Sequence, residues 1–146
     1  MTVLDAQAIM AGLTAEPAMA EVARILRDRD SIPMISALSV AEVMDVLVRV
    51  RGHRVERCDR QLALLYAGGL EVVAVDEEVG RLAGLVRSRH WSRDRRAVSM
   101  ADCVALATAM VRREPLATAD GALIAAARAE GAPVVVLPDS QGRRSV

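Results

Sequence analysis

Lysine is missing from this chain altogether: all 19 of its Lys-plus-Arg positions are arginine, and asparagine and phenylalanine are absent as well. Without a lysine there is no Walker A phosphate loop, no Schiff-base mechanism and no receiver-domain lysine. The arginines are matched by 19 acidic residues, so the formal net charge is zero and no global field draws the chain to nucleic acid. Cysteine is scarce. Cys58 and Cys103 lie in helical patterns at no metal-ligand spacing, and read as reduced, buried small residues rather than a disulfide framework. Long apolar runs are missing too, since the longest uncharged stretch, Ser31 to Ala41, falls far short of a membrane span. A first strand that starts almost at Met1 leaves no room for a signal peptide and predicts a cytoplasmic protein.

What is present describes an ordinary globular chain, 53% hydrophobic and 26% charged. At 146 residues it is most simply one domain, able to bury roughly two thirds of its unfolded surface. Short β-branched runs alternate with longer helical stretches. Strands are predicted at Thr2 to Leu4, Ile32 to Ile35, Glu71 to Val75, Leu116 to Thr118 and Val134 to Leu137. Between them, helices are predicted from about Ala6, from Pro17 in a first turn to about Arg27, through the stripe Val40, Val43, Met44, Leu47 and Val48, and over Val55 to Ala67, where Gly68-Gly69 ends the pattern. Further helices follow at Glu77 to Ser88, Met100 to Arg113 and Gly121 to Glu130. Such alternation implies βαβ crossovers and a mostly parallel sheet covered on both faces. Asp139 to Val146 reads as a polar tail.

Four acidic residues carry the chemistry. Asp5 closes Thr2-Val3-Leu4, Glu42 lies in Ser39-Val-Ala-Glu42, Asp102 in Ser99-Met-Ala-Asp102, and Asp120 in Leu116-Ala-Thr-Ala-Asp120-Gly121. Each has a purely structural explanation. Ser39-x-x-Glu42 and Ser99-x-x-Asp102 match capping boxes, while Asp5 and Asp120 suit helix N-caps. Asp76, in Val75-Asp76-Glu77, also follows a strand and precedes a helix, and so serves as an internal control. The alternative is convergence on one sheet edge. Carboxylates at hydrogen-bonding separation cannot all stay ionised in a dry site unless they share a cation, and all-oxygen ligation suits Mg²⁺ or Mn²⁺. Asp5 and Asp120 fall just beyond strand ends, where open α/β sheets bind ligands.

The same segments resemble the PIN-domain family, most closely its VapC-type toxin ribonucleases. The likeness rests on Val3-Leu4-Asp5, Ser39-Val-Ala-Glu42-Val43, Ser99-Met-Ala-Asp102-Cys-Val-Ala-Leu-Ala-Thr108-Ala109, Leu116-Ala-Thr118-Ala-Asp120-Gly-Ala-Leu123 and Gly131-Ala-Pro-Val-Val-Val-Leu-Pro138. It implies a three-layer α/β/α fold with a central, mostly parallel sheet of about five strands, spanning residues 1–138, with 139–146 as the tail. It also implies that Asp5, Glu42, Asp102 and Asp120 bind Mg²⁺ or Mn²⁺ and catalyse hydrolysis of RNA phosphodiester bonds. Thr118, Gln7 and Ser99 become supporting positions beside those ligands. Gln7 is a departure, because the family usually has a small polar residue two places after the first acid.

A carboxylate-bound cation would acidify a water and polarise the scissile phosphate, and no histidine is required, so His53 and His90 are read as solvated. The densest basic segment supplies candidate RNA contacts: Arg87, Arg89, Arg93, Arg95 and Arg96 for phosphates, and Trp91 for stacking on an unpaired base. A second basic stretch, Arg49, Arg51, Arg54, Arg57 and Arg60, reads as surface or as the lining of a groove. Resemblance further implies a VapB-type antitoxin partner and homodimerisation. The competing functions are a housekeeping RNA-processing PIN nuclease and a non-catalytic PIN scaffold that binds RNA or protein.

Overall fold

A computed structural model describes residues 1–92 and 98–145. Five short strands form one parallel sheet: β1 (Thr2–Leu4), β2 (Pro33–Ser36), β3 (Glu71–Val73), β4 (Leu116–Thr118) and β5 (Val134–Val136), in the order β3-β2-β1-β4-β5. The helices are α1 (Ala6–Leu13), α2 (Met19–Arg27), α3 (Ala37–Asp45), α4 (Val55–Ala67), α5 (Glu77–His90), α6 (Met100–Arg112) and α7 (Gly121–Ala129). This is the three-layer α/β/α arrangement with a five-stranded parallel sheet that the sequence predicts.

The layers follow from the period of two along each strand. Val3, Met34 and Leu116 face one way, into a core shared with α5, α6 and α7. Their neighbours Leu4, Ile35 and Ala117 face the other way, into a core with α1, α2, α3 and α4. Both faces are covered, which is why the strands read as unbroken apolar runs rather than alternating ones. Cys58 and Cys103 are buried and unpaired, one in each core. Burial, then the neighbouring Asp102, pushes the Cys103 thiol up to about 11, so it is no nucleophile at neutral pH.

Two local predictions need correction. Pro17 lies ahead of α2 rather than in its first turn. Ala15 adopts left-handed φ of 56° and the Met19 N–H bonds back to the Glu16 carbonyl at 2.8 Å, making a turn that delays the helix to Met19. The stripe through Leu47 and Val48 does not continue α3 either. The α-helix ends at Asp45 and Val46–Val50 form a π-turn, in which the Arg51 N–H bonds the Val46 carbonyl at 2.9 Å. Among the described residues no helix is long and apolar enough to cross a membrane.

The chain enters the sheet at its centre, builds outward to β3, then returns to the other side of β1. Strand order therefore reverses between β1 and β4, and the crevice beyond their carboxyl ends is where such sheets bind ligands.

Candidate functional site

Asp5 directly follows β1 and caps α1, its Oδ1 accepting the Ala8 N–H at 2.7 Å. It is 2% exposed. The hydroxyl of Thr118, at the end of β4 and fully buried, donates to Asp5 Oδ2 and accepts the Asp120 N–H at 3.0 Å. One side chain thus ties the acid of β1 to the turn that carries the acid after β4. Asp120 caps α7, with Oδ1 accepting the Ala122 and Leu123 N–H groups at 2.8 and 3.0 Å. Asp102 completes a capping box on α6: the Ser99 N–H donates to Asp102 Oδ2 at 2.7 Å and the Asp102 N–H to Ser99 Oγ at 3.0 Å.

Glu42 is different. The proposed Ser39–Glu42 capping box does not form, because α3 starts earlier than that motif requires. Ser36 is the N-cap, accepting the Ser39 N–H at 3.0 Å, which leaves Glu42 in the body of the helix. Its carboxylate makes no hydrogen bond or ion pair among the described residues.

Asp102 acts electrostatically on both Asp5 and Glu42. Burial pushes the Asp5 carboxyl up to about 7, against the lowering effect of the Thr118 and Ala8 hydrogen bonds, and Asp102 and Asp120 raise it further. Burial also raises Glu42, with Asp102 and Asp45 adding to it. Glu42, Asp102 and Asp120 line a cavity of about 350 Å³ together with Gln7, Met10, Glu16, Arg51, Ser99 and Ser140, and Asp5 is buried beside it. The donor set is oxygen alone and carries an excess of negative charge, the chemistry a hard divalent cation selects. Among the described residues, however, no three His, Cys, Asp or Glu side chains are arranged to hold a metal ion as they stand. The fit is one of donor chemistry rather than of closed geometry.

The proposed RNA contacts fare differently. Arg87 donates to the Val98 carbonyl at 2.9 Å and braces the segment leading to Ser99. Arg89 pairs with Glu130 at 3.3 Å and donates to the Leu85 carbonyl, and Trp91 is exposed where α5 ends. None of the three lines the acidic cavity. Arg93, Arg95 and Arg96 lie outside the described residues. His90 is not solvated as expected but pairs with Glu130 at 2.7 Å, and His53 Nδ1 is buried without a partner among the described residues. Glu16, Arg51 and Ser140 were not among the predicted site residues. Only Arg51 carried a signal, as one of a run of arginines open to lining a groove.

A family model described as PIN domain matches residues 2–139. No curated protein matches in sequence. Among solved structures, the chain is similar to VapC20 of Mycobacterium tuberculosis, a sarcin–ricin loop cleaving toxin, at 22% identity over 86% of this chain and 95% of that one, with a TM-score of 0.68. VapBC2 from Rickettsia felis, bound to a DNA fragment from its promoter, matches at 14% identity over 92% and 96% with a TM-score of 0.68. FitAcB from Neisseria gonorrhoeae matches at 24% identity over 92% and 96% with a TM-score of 0.63. At these identities the likeness concerns the fold.

Proposed function

Because the chain belongs to the PIN-domain family, we propose that it is a metal-dependent endoribonuclease and the toxin of a toxin–antitoxin pair. The observation that carries this reading is the convergence of Asp5, Glu42, Asp102 and Asp120 at the switch between β1 and β4, with the Asp5 carboxyl pushed to about 7. A protein that needed only helix caps would have no reason to gather them.

Asp5, Glu42, Asp102 and Asp120 would hold a divalent cation of the Mg²⁺ or Mn²⁺ type, which would supply Lewis acidity toward a phosphate oxygen and lower the pKa of a water. The remaining tasks fall to the chain. Thr118 fixes Asp5 Oδ2, the Ser99 amide fixes Asp102 Oδ2, and the first turn of α7 fixes Asp120 Oδ1, so three carboxylates are held in place before substrate arrives. Glu42 is the carboxylate left uncapped, which leaves it the freest of the four to orient the attacking water. Gln7, on the cavity wall, stands where an amide can donate to a phosphate oxygen.

The partner we propose is a VapB-type antitoxin, with homodimerisation of the toxin and a cytoplasmic location. The solved relatives named VapBC2 and FitAcB support the first. So does an apolar cleft of about 260 Å³ lined by Ala23 and Leu26 of α2 and by Leu64 and Leu65 of α4, beside which Leu64 is 73% exposed.

The test is Mg²⁺- or Mn²⁺-dependent cleavage of RNA by the chain and its Asp102→Asn and Asp120→Asn variants. Asparagine caps a helix about as well as aspartate at Asp120, and at Asp102 its side-chain oxygen can still accept the Ser99 N–H, while both changes remove the charge. Both variants should fold and lose cleavage by about 100-fold or more, at or beyond the upper end seen for residues that merely support a metal's ligands. Variants that cut as well as the parent reduce the acids to caps. A parent that neither cuts varied RNAs nor binds metal points to the non-catalytic scaffold instead.

A further inference from the structure

The cavity that holds the carboxylates would repel a polyanion, and among the described residues lining it only Arg51 is cationic. Of the arginines that the sequence offers for phosphate contact, the two among the described residues are engaged elsewhere, Arg87 on a backbone carbonyl and Arg89 on Glu130. Arg51 is engaged as well, but at the cavity itself. Its Nη2 donates to Glu16 Oε1 at 2.9 Å, and the two side chains are 35% and 22% exposed. Glu16 also lines the cavity, and the Thr14 hydroxyl lies 2.9 Å from the same Oε1.

Both members of this pair are set by sparse backbone conformations. Glu16 follows the left-handed Ala15, a conformation a residue with a Cβ adopts rarely, and its N–H bonds the Ala11 carbonyl at 3.2 Å. Arg51 ends the π-turn. A continuous α-helix would seat residue 51 above the fully buried Leu47, whereas the five-residue turn seats it above Val46. Departures of this kind cluster at functional sites because surrounding structure must hold them. Here two of them, thirty-five residues apart, produce a single ion pair on the rim of the acidic cavity.

We propose that Arg51 is the phosphate-binding residue of this site, and that Glu16 occupies it as an internal stand-in for an RNA phosphate which incoming RNA must displace. The proposal rests on the ribonuclease reading above. Guanidinium geometry fits it, since the planar fork that meets a carboxylate meets a phosphodiester equally well. The acidic centre then gains a cation on the substrate side only when Glu16 lets go, and an empty site presents a neutralised rim.

The experiment is fluorescence anisotropy of a labelled single-stranded RNA oligonucleotide in EDTA at low salt, so that binding is read without cleavage. The parent, Glu16→Gln, Arg51→Gln and the double variant are compared, with circular dichroism to establish folding. Opposite effects are expected: Glu16→Gln tightens binding about 3- to 10-fold, Arg51→Gln weakens it by a similar factor, and the double variant behaves as Arg51→Gln. Loss of Arg51 should also lower the slope of log affinity against log salt by about 0.7, the share of one phosphate on a single strand. If the pair were only structural, both single variants would move affinity the same way. That result, or unchanged binding and salt slope in both, overturns the proposal and leaves the ribonuclease reading standing. If neither the parent nor Glu16→Gln binds RNA at all, the proposal falls, and the metal-dependent cleavage assay decides whether the reading it rests on falls with it.

Discussion

Asp5 and Asp76 begin as the same residue. Each follows a strand, each has extended backbone (φ −76° and −85°), and each caps the next helix by accepting the N–H three residues on, from Ala8 at 2.7 Å and from Val79 at 3.0 Å. They differ in the strand they leave. β1 is the middle of the sheet, flanked by β2 and β4, whereas β3 is an edge with one neighbour. Asp5 is buried among other acids as a result, and Asp76 is exposed. Capping is a local property that any strand-to-helix junction can satisfy. The electrostatic burden of Asp5 comes from topology, and it marks a site in a way that a cap motif does not.

That contrast can be broken in several ways. The largest effect concerns pH. The folded Asp5 carboxyl, near 7, holds a proton that the unfolded chain, near 3.8, has already lost, so between these values the native state binds more protons and stability falls as pH rises. At about 1.4 kcal/mol per pKa unit the full penalty approaches about 4 kcal/mol above pH 7. Metal-free parent should therefore show a decline in urea-unfolding free energy from pH 4.5 to pH 8 that is much shallower in Asp5→Asn, where only groups such as Glu42 still contribute. Added Mg²⁺ at pH 8 should raise the Tm of the parent more than that of the variant. Parallel pH profiles for the two proteins would remove the distinction between Asp5 and an ordinary cap.

Thr118→Val comes next. It deletes the hydroxyl that donates to Asp5 and accepts from Asp120, leaving buried partners unsatisfied, and should cost about 1–3 kcal/mol in chemical denaturation. Cleavage by the variant should fall as well, since Asp5 loses its fixed orientation. The smallest effect is at the control. Asp76→Ala should cost about 1 kcal/mol, the worth of a helix cap, and leave RNA cleavage at the parental rate. A drop in cleavage there would mean that cap and site cannot be separated by strand position.

Much of this was open to inspection in the amino-acid order. β-branched runs that break off at Asp5, Ser36 and Thr118 mark strand ends, and the helical stripes between them require a covered parallel sheet. Ser99-x-x-Asp102 is a capping box in fact as in pattern. Ser39-x-x-Glu42 has the same letters and is not one, because Ser36 starts α3 a turn earlier; the motif carries no information about which serine the strand ends at. Val46-Leu-Val-Arg-Val50 reads as a continuation of α3, since the hydrophobic spacing over five residues cannot distinguish a wide turn from a regular one. Glu16 and Arg51 were hidden for a related reason. Their pairing depends on a left-handed alanine and a π-turn, neither of which has a composition of its own. Arg87 and Arg89 were legible as charge but not as contacts, because density of charge along the chain says nothing of which carbonyl or carboxylate already holds it.

The central position of β1 has a consequence for the protein's birth. Asp5 leaves the ribosome long before β4, one of the two strands that flank β1, and the Thr118 hydroxyl that holds it arrives 113 residues later. At about 5–20 residues per second that is a wait on the order of 10 s. Until β4 docks beside β1, no nascent or truncated chain has its first acid fixed or its fourth acid attached. The sheet order thus works as a timer, withholding the carboxylate cluster from every chain in which β4 has not yet docked.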